Sequence, residues 1–509
     1  MPPRAAAVDT TTGVNNNSND DILKVVKCDY LVVGAGTSGM SFVDTMLTEN
    51  PNATIVIVDR NSQPGGHWTT AYPWVTLHQP SCNYGINSMQ LGTTKKRGYE
   101  RYDIEDLATG TQILEYYGEA LKKFEATGRV QSFFDASYVF DEATGNHTIV
   151  SSSNNTIQVD CRKVVTVKSN VTVPSMREPL IPVDPQVNFI PVNNIPESLQ
   201  SGKFQNYIVF GNGKTGCDAV VHLINSGVDP SQISWVSPRD VWYFNRDGLA
   251  DFYKAMDVFR KLADVDSIEE AYLSFEKGGL LHRIDPTRPF PMVFKGPVMT
   301  TEEMEQMRSV KNIVRMGRAT SIEAGRVVLQ EGTLDFTNED TLLVDCMVNN
   351  LYGYDFDKDF TIFEPGRINL GPLTSLFNVS MSAAHLAFLE TKLEDDDSKN
   401  KSCYFLRGKE YTNGHPSFLI GSIYMEMKST EVIMKIKGGA KFYMNSRCNG
   451  NAPKHFKGGW WKFLWMSFGP KQMAKFGKVL VKKIESKGYS DIDHCWGVET
   501  FAQANEVAA

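Results

Sequence analysis

The residues best placed to do chemistry in this sequence are glycines, because a glycine lets backbone amides close round a phosphate where a side chain would block them. Gly34-Ala-Gly36-Thr-Ser38-Gly39 has the spacing G-x-G-x-x-G. It follows the apolar run Cys28-Asp-Tyr-Leu-Val-Val33 and precedes a helical pattern from Thr37 to Thr48. In that setting the first glycine permits a tight turn, the second lets a diphosphate approach the backbone, and the third lets helix pack closely on strand. The helix N-terminus adds free N–H groups and a partial positive charge. Asp59-Arg60 closes the next β-branched run, Thr54 to Val58, at the offset where a carboxylate accepts ribose hydroxyls. A glycine triplet alone is a weak signal. Strand, helix and acid in the right order predict a dinucleotide-binding β-α-β unit.

The same arrangement recurs 177 residues later. Gly211-Asn-Gly213-Lys214-Thr215-Gly216 follows the strand pattern Asn206 to Phe210 and opens another helix. After the next strand, Ile233 to Val236, no acid appears, and Ser237-Pro-Arg239 stands in its place. A hydroxyl and a guanidinium suit the extra 2′-phosphate of NADP, which a carboxylate would repel. The second unit is therefore expected to take NADPH in preference to NADH. Lys214 either adds charge beside the diphosphate or is simply solvated. Trp235, Trp242, Tyr243 and Phe244 read mostly as packing, and Arg246 as the partner of some neighbour.

These sites need a scaffold, and the fold class expected is α/β, with two Rossmann-like dinucleotide-binding domains and a helical insertion. Residues 1–26 read as a disordered tail, and 27–172 as the first part of one domain. Residues 173–345 read as a second domain with a helical insertion at about 247–310, and 346–509 as a return to the first domain with a C-terminal extension. Apolar residues at helical spacing place a scaffold helix around Gln112 to Gly128. The Pro-rich stretch Val173 to Pro196 reads as an extended connection. Arg326 to Leu329 and Thr341 to Val348 read as strands returning to a sheet.

Which dinucleotide the first unit takes follows from Gln63-Pro-Gly65-Gly66-His67-Trp68, Ala71-Tyr72-Pro73 and Ser81-Cys-Asn-Tyr84. This region resembles the N-terminal part of flavin-dependent monooxygenases of the flavin-containing and Baeyer-Villiger type. The resemblance implies FAD in the first unit, with the NADP unit following in the same order along the chain. The residues agree: a glycine pair admits a flexible diphosphate chain, and Trp68 offers a flat wall to a flat ring. The lesser alternative is that Trp68 and Tyr72 are core aromatics. His67, His78 and Gln79 are polar groups able to bond a flavin, and His78 is the candidate catalytic residue, against a structural alternative. The match covers about residues 28–240 and then departs. The Phe-x-Gly motif with a downstream histidine is replaced by Phe189-Ile-Pro-Val-Asn-Asn-Ile195, and the Ala-Thr-Gly-Tyr segment by Asp345 to Gly353. The arginine that holds a peroxyflavin in Baeyer-Villiger enzymes has no evident counterpart.

Composition excludes other classes. With 41% apolar and 22% charged residues and a net charge of −7, the chain has no global attraction for nucleic acid. Its eight cysteines include no C-x-x-C, which argues against a zinc site and against a disulfide reductase. No metal is expected. Without a signal sequence or a spanning run of about 18 apolar residues, the expected location is cytoplasmic. Residues 454–488 carry nine lysines against Glu485 among several tryptophans, so they suit either a docked C-terminal helix or membrane contact. The expected activity is a FAD- and NADPH-dependent oxidoreductase, a monooxygenase acting on a small organic substrate. The alternatives are a reductase feeding a quinone or protein acceptor, and a non-catalytic dinucleotide sensor.

Overall fold

The computed structural model describes residues 9–12, 24–93, 105–167, 173–250, 257, 261, 265, 267–348, 360–375, 378–405 and 414–449. The basic aromatic stretch 454–488 lies outside them.

Alternating apolar residues build the first sheet. Strands β1 (Asp9–Thr12), β2 (Lys24–Val33), β3 (Ile55–Val58), β4 (Val130–Phe133), β5 (Ala136–Asp141), β6 (Asn146–Ser151) and β7 (Thr156–Thr166) belong to it. β4, β3, β2 and β7 run parallel side by side. Leu31, Val56, Val58 and Val164 pack on one face with Ala136 and Ile149, and Tyr30, Val32, Ile55, Ile57 and Val165 pack on the other. A sheet covered on both faces accounts for the absence of polar alternation in β3. Helix α1 (Thr37–Glu49) lies on one side of this sheet. Helix α2 (Gly110–Glu125) starts two residues earlier than the apolar spacing suggests, because Thr109 and Gln112 form a capping box. The expected tail is corrected in part. Asp9–Thr12 pairs antiparallel with β2, Thr12 opposite Lys24, and β2 itself begins at Lys24.

The second unit contains β8 (Phe189–Pro191), α3 (Ile195–Gln200), β9 (Asn206–Phe210), α4 (Lys214–Asn225), β10 (Ile233–Val236) and β11 (Trp242–Asn245). It continues with α5 (Arg246–Ala250), α6 (Ile268–Lys277), β12 (Leu281–His282), β13 (Phe294–Met299), α7 (Thr301–Ser309) and β14 (Asn312–Val314). β15 (Ala319–Glu323), β16 (Arg326–Leu329), β17 (Gly332–Asp335) and β18 (Thr341–Asp345) complete it. β14, β10, β9, β18 and β8 form a wholly parallel sheet. Arg326–Leu329 is a strand as expected, and glycine turns at Gly325 and Gly332, both with positive φ, fold it into the antiparallel sheet β15-β16-β17. One expectation is corrected. The stretch 247–310 is not only helical, since β12 and β13 flank β11 in a small sheet.

From Phe363 the chain rejoins the first sheet. β19 (Phe363–Glu364) and β20 (Arg367–Asn369) extend it, β20 lying parallel to β7. Helix α8 (Val379–Lys392) presents Ala383 and Ala387 to the core that holds α1, and its Ser380 carbonyl accepts the Ser41 hydroxyl at 2.7 Å. A buried ionic cluster locks this return: Glu390, 1% exposed at its side chain, meets Lys163 from β7 and Lys399 from α9 (Asp396–Lys401). Helices α10 (Ser417–Lys435) and α11 (Gly439–Asn445) follow. No helix among the described residues is long and apolar enough to cross a membrane.

Candidate functional site

The two glycine turns are built alike. Gly34 and Gly211 each adopt φ +107°. Their N–H groups reach the end of the neighbouring strand, at Val58 O (2.8 Å) and Val236 O (3.0 Å). A Cβ on Gly39 would lie 2.0 Å from Gly34 O, and one on Gly216 would lie 2.0 Å from Gly211 O, so both third glycines are required by the close crossing of helix over turn. α1 and α4 start at Gly36 and Gly213 with no side-chain cap. Thr109, Ser267, Thr300, Asn378 and Asp395 cap α2, α6, α7, α8 and α9, while α3, α10 and α11 also lack a side-chain cap. The helices behind the glycine turns thus keep their first N–H groups open, as a bound phosphate requires. Ser38 and Thr215, in the first turn of each helix, are half-buried.

Asp59 is 6% exposed. Its Oδ2 accepts from Ala35 N at 2.6 Å and its Oδ1 from Asn61 N at 2.8 Å, so it orders the first turn. A carboxylate offers about four lone-pair sites, which leaves capacity for ribose hydroxyls. Arg60 beside it is exposed.

Between the two turns runs the segment from Gly65 to Tyr84. Gly65 N donates to Ala35 O at 2.9 Å, and Gly66, with φ +59°, faces Gly36 so closely that an added Cβ would sit 2.9 Å from its Cα. Trp68 packs against the cores of both units, which places it at their junction. Its indole donates to the Tyr84 hydroxyl at 2.5 Å, and that hydroxyl also bonds Thr37 at the start of α1. Tyr117 donates to the same Thr37 oxygen at 3.0 Å. His67 is exposed, its ring 4.8 Å from that of Trp68. Gln79 bonds within its own segment, to Asn83 O at 3.5 Å.

The far part of the segment docks on the second unit. Tyr72 packs in the core with Val209 and Val344, and its hydroxyl donates to Asp218 Oδ2 at 2.5 Å. Trp74 stacks on His222 with ring centroids 4.1 Å apart. Burial and the Asp218 carboxylate raise the Tyr72 pKa well above the ordinary phenol value, so it stays a donor. His78 is half-buried, and enclosure by protein, then the cations of Lys214 and Arg246, hold its pKa well below the ordinary value. His67 adds to the same effect. The candidate histidine therefore sits neutral where residues from both units converge.

Of the two readings of Lys214 at the second turn, the solvated one fails, because it pairs with Asp218 one helical turn on, the carboxylate that also holds Tyr72. Ser237 is fully buried, and its hydroxyl accepts from Asn212 Nδ2 at 2.7 Å and donates to Arg239 O at 3.3 Å. Arg239 remains exposed at the strand end. Burial, and then the Arg318 charge, lowers its pKa, and burial, and then Arg239 and Arg318, lowers that of Lys295. This cluster of three cations escapes sequence reading because Lys295 and Arg318 come from β13 and the β14–β15 link, far along the chain.

One further residue had no motif to announce it. Arg447, 6% exposed, donates to the backbone carbonyls of Cys82, Tyr84 and Ile86 and so clamps the end of the bridging segment.

Residues 32–98 match the family described as NAD(P)-binding Rossmann-like domain. Over 391 residues, 75% of this chain, the sequence is 34% identical to the uncharacterized protein Rv2000 of Mycobacterium tuberculosis, covering 70% of that protein, and to the same extent to Mb2023 of Mycobacterium bovis. It is 26% identical over 245 residues to the FAD-dependent monooxygenase DEP4 of Alternaria brassicicola, covering 44% of this chain and 36% of that one. Among solved structures, an open form of cyclohexanone monooxygenase is 14% identical with a TM-score of 0.48, covering 72% of this chain and 86% of that chain. On the extent of the mycobacterial match, this chain belongs to the family of Rv2000, and its fold is that of an α/β protein with two Rossmann-like units.

Proposed function

We propose that the protein is an FAD-dependent oxidoreductase that takes hydride from NADPH and acts as a monooxygenase on a small organic molecule. The observation that carries this reading is the segment Gly65 to Tyr84. Through Gly66 and Tyr84 it touches the first glycine turn and the helix behind it, and between them, through Tyr72 and Asp218, it holds the helix behind the second turn. Two dinucleotides gripped at those turns would present their reactive ends to the same seam.

The residues fit the two groups. The first turn, with Gly34, Gly36, Ser38 and Gly39, would hold the diphosphate of FAD, Asp59 would hold its ribose, and Trp68 with Tyr84 would line the ring. The second turn, with Gly211, Gly213, Thr215 and Gly216, would hold the diphosphate of NADPH. Arg239, Lys295 and Arg318 supply the positive field that a 2′-phosphate needs, which favours NADPH over NADH. Bound flavin supplies hydride acceptance and oxygen chemistry, and the protein aligns the partners and excludes water. DEP4, named as an FAD-dependent monooxygenase, supports the same reading.

Purified protein should be yellow and should bleach anaerobically on addition of NADPH. Protein that stays colourless after incubation with FAD would refute the flavin assignment. Oxygen consumption matched by oxygenated product separates a monooxygenase from a reductase that passes electrons onward.

A further inference from the structure

Arg246 begins α5 directly after β11 and is 6% exposed. Its Nη2 donates to Glu303 Oε2 at 3.3 Å, but that oxygen already accepts the Thr300 N–H at 2.7 Å as part of the cap of α7. The Nε and Nη1 atoms of Arg246 have no acceptor and are closed to water, so solvent does not substitute for one. A guanidinium has five N–H donors and does not give up its charge at accessible pH, so burial with donors unmet is unfavourable and uncommon. A buried polar group left in this state points to a ligand that completes it.

The surroundings specify what that ligand carries. Lys214 at the start of α4 is already matched by Asp218, and Glu303 is only partly available. Burial first, and then the charges of Lys214, Arg246 and His67, lower the pKa of His78 on the bridging segment, so its ring stays neutral and keeps one N–H. The unmet guanidinium donors of Arg246, with a neutral imidazole on the bridging segment, suit an acceptor oxygen bearing negative charge.

We propose that Arg246 and His78 form an oxyanion subsite at the seam of the two units, filled either by a carboxylate of the substrate or by the diphosphate of the dinucleotide held at the second turn. The subsite rests on the reading of the second turn as a dinucleotide site, but its test reads heat stability of the chain and needs no bound flavin. A colourless protein would end the flavin reading and leave this test intact.

Thermal unfolding of the full-length protein is followed with benzoate, with inorganic pyrophosphate and with chloride at matched ionic strength, alongside Arg246→Met. Without additive, Arg246→Met should melt at the wild-type temperature or above it, since an uncompensated buried cation is gone. A rise in melting temperature with benzoate that Arg246→Met loses assigns the subsite to a substrate carboxylate. A rise with pyrophosphate that it loses assigns the subsite to the diphosphate. Equal shifts in both proteins, or none in wild type, overturn the proposal, as does a lower melting temperature of Arg246→Met without additive. Should Arg246→Met fail to fold, Arg246→Lys keeps the charge without the planar fork, and its half-saturating anion concentration should rise about tenfold. An unchanged value for that variant also overturns the proposal.

Discussion

A methyl group on Gly39 would collide with the Gly34 carbonyl at 2.0 Å, and one on Gly216 with the Gly211 carbonyl at the same distance. Both contacts are with backbone, which cannot swing aside. Gly39→Ala is therefore expected to give protein that no longer retains flavin. Gly216→Ala is expected to retain flavin yet lose its reduction by NADPH, and visible absorbance before and after NADPH distinguishes the two. A different single residue sets a pH dependence. His385 on α8 is 3% exposed, bonds Thr374 through Nδ1 at 3.2 Å and has no partner at Nε2. Burial holds its pKa down to about 4, against an ordinary value of 6.5. The unfolded chain takes up this proton first, so stability is full above pH 6.5 and falls as pH drops toward 4, by at most about 1.4 kcal/mol per pH unit from this group. His385→Leu should flatten that part of the melting-temperature curve, and an unaltered slope would show that the histidine does not contribute. At this scale the sequence was readable wherever spacing is local, as in the glycine turns and Arg239. It was silent on Lys295 and Arg318, which come together only through the fold.

Among the elements, the bridging segment from Gly65 to Tyr84 decides how the two units meet. Its tyrosine hydroxyl reaches Asp218, and its Trp74 stacks on His222, both on α4. Tyr72→Phe removes one hydrogen bond to a charged group and leaves the packing of the ring in place. Such bonds contribute about 1.5–3 kcal/mol, so flavin reduction at saturating NADPH should slow by about tenfold or more while flavin content stays the same. Stopped-flow reduction under nitrogen measures this, and a wild-type rate would rule out a positioning role for the seam bond. The motif Tyr72-Pro73 was visible in the sequence, but its purpose was not. Reading Tyr72 as a core aromatic was right for its ring, which belongs to the second core, but was silent on its hydroxyl, which donates to Asp218 on α4. Arg326–Leu329 shows a similar limit: an apolar run identifies a strand, and the glycines beside it, not the run, choose the sheet.

For the molecule as a whole, the first unit is assembled from both halves of the chain. β2 to β7 come from before the second unit, and β20 with α8 come from after it. Apolar periodicity revealed the two repeated units, and the long-range closure was readable only in outline, because the pairing of β20 with β7 links residues about two hundred positions apart. The Arg447 clamp takes this furthest, tying the last described stretch to the carbonyls of Cys82, Tyr84 and Ile86. Arg447→Met should lower flavin retention, measured as the ratio of visible to ultraviolet absorbance after gel filtration, while the second unit keeps its affinity for NADPH. During synthesis, the wall beside Trp68 stays unfastened until residue 447 has left the ribosome. A nascent chain is thus expected to complete the nucleotide cradle of its second unit before that of its first, and on the proposed function firm retention of colour should follow the passage of this arginine through translation.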